Sequence, residues 1–147
     1  MAVSTRIQAK NIVFKIGTVD LAPDATMVSL TLGDASGDVR TFAEVSTARE
    51  WKLQLDGIVS GDTASLYRTL WANYGTEVAF VVAPSGNSTA STTQPHYTGT
   101  VIFDDLPPLE LTSGETAKFS VTLTVKNTTH NPTGTPAVFW GVTLKTT

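Results

Sequence analysis

Residues 50–83 enclose one helical pattern between two strand patterns, in a chain that elsewhere alternates like a β-sheet protein. Glu50-Trp51-Lys52-Leu53-Gln54-Leu55-Asp56 places Trp51, Leu53 and Leu55 on one face and Lys52, Gln54 and Asp56 on the other, which predicts a half-buried strand. Leu66, Tyr67, Leu70, Trp71 and Tyr74 then recur at three- and four-residue spacing. Asp62 stands where an N-cap is expected and Gly75 where a left-handed stop is expected, so the spacing predicts a helix over about residues 62–74. Residues 78–83 follow at once as a second strand. A lone helix carrying large aromatics has to cover something apolar, either an edge or open end of its own sheet or a neighbouring subunit. Trp51 and Trp71 read as core or interface side chains, because each sits on the apolar face of its element.

The remaining segments favour strands. Ile12, Phe14 and Ile16 alternate with Val13, Lys15 and Gly17, and Val28, Leu30 and Leu32 alternate with Ser29 and Thr31. Tyr97, Gly99, Val101 and Phe103 form one face of a later strand, and Phe119, Val121, Leu123 and Val125 form the cleanest alternation of all. Residues 33–48 have no clean period of two and read as a long loop or projecting hairpin, whose Val39, Arg40, Phe42 and Val45 are candidates for a subunit interface. The polar, proline-bearing stretch 127–136 separates Val138, Phe139 and Trp140, also interface candidates, from the preceding strand. The sequence therefore predicts a domain over residues 1–126 and a C-terminal arm or extra strand over 127–147 that departs from the compact body. About seven or eight strands and one helix give a mainly β fold, a two-sheet β-sandwich or barrel with one flanking α-helix.

Composition narrows the function classes. A chain of 147 residues is about one domain, and the absence of cysteine excludes disulfides and thiolate metal sites. Ten Lys and Arg against 13 Asp and Glu, with no basic run, do not make a nucleic-acid footprint. The longest apolar run, residues 78–84, is far short of the roughly 20 residues of a membrane helix, and residues 1–6 have no apolar leader core, so a soluble chain without a secretion signal or membrane contact is expected. The 25 Thr and 11 Ser suit strands with one wet face.

No catalytic constellation is legible. His96 and His130 lie in polar stretches beside prolines and read as surface histidines, and the adjacent pair Asp104-Asp105 reads as a strand-ending turn. Gly57-Ile58-Val59-Ser60-Gly61 lacks the centred serine of a nucleophile elbow, and Gly33, Gly37 and Gly75 are too isolated to cradle a phosphate. The Asn87-Ser88-Thr89 and Asn127-Thr128-Thr129 sequons read as chance in a threonine-rich chain. The expectation is a protein that is no enzyme and has no cofactor or metal.

The order of Trp51-Lys52-Leu53-Gln54-Leu55-Asp56-Gly57, the helix ending at Gly75, Val78-Ala79-Phe80-Val81, Pro84-Ser85-Gly86, Tyr97-Thr98-Gly99-Thr100-Val101, Leu106-Pro107-Pro108-Leu109, Gly114-Glu115 and Phe119-Ser120-Val121-Thr122-Leu123 resembles the tail tube, or major tail, proteins of long-tailed bacteriophages. The signal is the order and spacing, since no one of these motifs is specific. The resemblance covers about half of the chain well. It implies a virion structural protein, assembled in the host cytoplasm, whose hexameric rings stack into a conduit for the genome and meet other tail proteins. In that family a long loop between early strands clasps a neighbour, and residues 33–48 match it. Residues from Asn127 onward depart from the simplest family pattern. Two other readings remain at this stage: a capsid decoration or head-to-tail joining protein, and a carbohydrate-binding β-sandwich module using Trp140 or a loop aromatic.

Overall fold

A computed structural model describes residues 11–34, 49–127 and 130–147. The described residues are mainly β with one α-helix, and their strands form one antiparallel sheet. In chain order they are β1 (Val13–Ile16), β2 (Val19–Asp20), β3 (Ala25–Asp34), β4 (Arg49–Ile58), the helix α1 (Leu66–Ala72), β5 (Glu77–Ala83), β6 (His96–Ile102), β7 (Lys118–Val125), β8 (Ala137–Phe139) and β9 (Val142–Lys145). The lateral order is β2-β1-β5-β6-β7-β4-β3, with β9 joined to β6 and β8.

This order dictates a rolled sheet. Seven strands laid flat would put β2 and β3 about 29 Å apart, six spacings of about 4.8 Å. Yet β2 ends at Asp20 and β3 begins at Ala25, a step the extended chain can stretch to only about 18 Å. The sheet must curl until its two margins face each other. A 3-10 turn over Ala22–Asp24 makes the link, with Leu21 fully buried beneath it.

All inward faces then meet in one core. Phe14 and Ile16 of β1, Leu53 and Leu55 of β4, Phe80 of β5, Val101 of β6, and Phe119, Val121, Leu123 and Val125 of β7 are buried together. The predicted alternation in β4 and β7 is therefore the observed one: Leu53 faces Leu123 and Leu55 faces Val121 across the ladder. The inner surface of a single curled sheet supplies the core, the barrel-like of the two arrangements expected.

The helix closes one end. It packs against β4, Leu66 and Leu70 are fully buried, and the Tyr67 ring lies 5.4 Å from that of Phe119 at the start of β7. Its N-cap is Ser65, whose Oγ accepts from the Arg68 N–H, in place of the expected Asp62. The Leu66 N–H donates to the Asp24 carboxylate, 3.3 Å, which ties the helix to the margin link. Gly75, at φ +83°, follows and donates its N–H to Phe103 O, 2.9 Å. Of the two places expected for Trp71, core or interface, the core is ruled out: it is 45% exposed, and Tyr74 is 56% exposed.

Candidate functional site

Among the described residues, the end of the rolled sheet opposite the helix is open. There the late part of β3 (Leu30, Leu32), the early part of β4 (Trp51), the end of β5 (Val82), the start of β6 (Tyr97) and β9 (Val142, Leu144) surround an apolar cleft of about 560 Å³. A neighbouring groove of about 680 Å³ runs between β1 and β3 and shares Val28, Val82 and Pro84 with it. Among the described residues the cleft is thus lined by aliphatic and aromatic side chains.

The C-terminal hairpin forms one wall, and this corrects the expectation that residues beyond 127 leave the body. Strand β9 pairs with β6 of its own chain, His96 opposite Lys145 and Thr98 opposite Thr143, while β7 pairs with β6 only at Val101 and Ile102. The hairpin fills the fork that opens where β7 diverges from β6. Val142, 3% exposed, belongs to the core. The polar spacer holds the body as well: Asn127 Nδ2 donates to Arg49 O, 2.8 Å, and Asn131 pairs with Val138.

The turn itself is unusual. Trp140 (φ 44°) and Gly141 (φ 98°) connect the paired residues Phe139 and Val142, a two-residue loop with both central residues left-handed. A Cβ at Gly141 would overlap the carbonyl oxygen of Lys126, so only glycine fits the fork. A tryptophan at positive φ is strained, at about 1–3 kcal/mol. Two contacts offset this. The His130 ring stacks on the Trp140 indole at 3.7 Å and 13°, and Trp51 Nε1–H donates to Phe139 O, 2.7 Å. Because His130 covers a face of Trp140, that face is closed to a stacked sugar ring.

Of the interface candidates, Val138, Phe139 and Trp140 are thus all half-buried in this hairpin, and Phe139 and Trp140 line the cleft. Val39, Arg40, Phe42 and Val45 lie outside the described residues. The segment that carries them leaves the sheet at Asp34 and returns at Arg49, which are opposite one another in the last rung of the β3–β4 ladder, beside the cleft.

Several polar side chains of the described residues make structural contacts. Asp104 accepts from the Thr124 N–H and, at 2.7 Å, from its hydroxyl, while Asp105 accepts from the Leu106 N–H. Lys52 meets Glu50 at 2.7 Å and donates to Thr124 Oγ1 at 2.8 Å, and Lys126 meets Glu77 at 2.9 Å. His96, expected at the surface, is buried at the start of β6 with Nε2 3.0 Å from Asn87 O. Among the described residues no three His, Asp or Glu side chains converge as metal ligands, and no helix is long and apolar enough to cross a membrane. What the geometry offers is an apolar surface for packing.

Among the described residues the fold is mainly β, with one helix and a rolled sheet whose outermost strands, β2 and β3, are not paired to each other. No protein-family model matches the sequence, and no curated protein matches it.

Proposed function

We propose that this chain is a structural virion protein, the self-assembling subunit of a bacteriophage tail tube built from stacked hexameric rings. One observation carries the reading. The described residues leave apolar surface uncovered on separate sides: the apolar cleft at the end opposite the helix, Trp71 and Tyr74 around the helix, and Leu109 and Leu111, the last 72% exposed. Such surface is costly in water and suits a chain whose neighbours cover it. The element order that resembles tail tube proteins adds support, and the titratable side chains engaged in structural contacts fit a role in assembly better than one in catalysis.

In this reading the partners are other copies of the chain and further tail proteins, and the genome passes through the lumen without specific contacts. The protein is assembled in the host cytoplasm and resides in the virion tail. A capsid decoration or head-to-tail joining role shares most of these features and differs in what is built. Negative-stain microscopy of the purified protein over a range of concentrations tests the proposal. Tubes or stacked six-fold rings are expected; isolated rings that never stack favour a joining component, and a monomer at every concentration overturns assembly altogether.

A further inference from the structure

We draw no further inference here: the strongest candidate, the apolar cleft of about 560 Å³ between β3, β4, β6 and the β8–β9 hairpin, carries nothing because nothing in the structure shows what covers it.

Discussion

Trp51 performs two tasks: its ring walls the cleft and its indole N–H holds the hairpin through Phe139 O. Trp51→Phe keeps most of the ring and leaves that carbonyl without its donor, a loss of about 1 kcal/mol. For a chain of this size the expected fall in melting temperature is about 2–4 °C by calorimetry, and an unchanged transition would show that the bond carries no stability. The helix supplies a contrast between neighbours. Leu70→Ala, at a fully buried site, should cost about 2–5 kcal/mol. Trp71→Ala should cost about 1 kcal/mol or less, since its ring meets Tyr67 only at 6.1 Å in a tilted contact, and should leave a folded subunit that assembles poorly. A molten Trp71→Ala protein would show that the exposed ring supports the fold. The three- and four-residue spacing pointed to Trp71 as buried because it sits near Tyr67 on the helix. With about 100° per residue, however, Leu66, Leu70 and Tyr67 span an arc that ends some 40° short of Trp71. Periodicity finds the stripe and leaves its width open.

At the scale of elements, the interior faces of β4, β6 and β7 were legible because strict alternation places Leu53, Leu55, Val101, Phe103, Leu123 and Val125 on one side, and all are buried. The pairing of β9 with β6 was not. The prolines and polar residues of 127–136 resemble a linker, and nothing local in Val142 to Lys145 reports that β6 has an uncovered stretch 45 residues earlier, where Thr98 awaits Thr143. The apolar cleft was equally hidden, since residues of β3, β4, β5, β6 and β9 line it together. Removing residues 131–147 should therefore abolish the cooperative thermal transition of the monomer, because it takes Val142 from the core and uncovers Tyr97. A truncated chain with native circular dichroism and melting would restore the departing arm. The reverse is expected at the other wall of the cleft. Because Asp34 and Arg49 are opposite one another, replacing residues 35–48 by Asn-Gly should close a two-residue turn and keep the monomer folded. If the segment clasps neighbours, the same replacement eliminates tubes; normal tubes from it would remove residues 39–45 from the interface.

For the whole molecule, a conduit that lets a duplex slide should not hold its phosphates. With 10 basic against 13 acidic residues, the channel wall is expected to be neutral to negative. The assembled protein should then fail to retard duplex DNA on a gel even at about 50 mM salt, where counterion release favours binding most. Retardation that weakens as salt rises would contradict a non-binding lumen. The short link between the sheet's margins bears on how such a subunit comes into being. Rolling requires β1 to find β5 and β4 to find β7, and each pairing joins residues 70 apart in sequence, Val13 with Ala83 and Leu53 with Leu123. Contacts this distant place folding in the slow range, milliseconds to seconds. During that interval the half-rolled chain presents bare margins to other chains in the same condition. Native yield on refolding should accordingly depend on dilution, with rolling winning over tangling only where chains meet rarely.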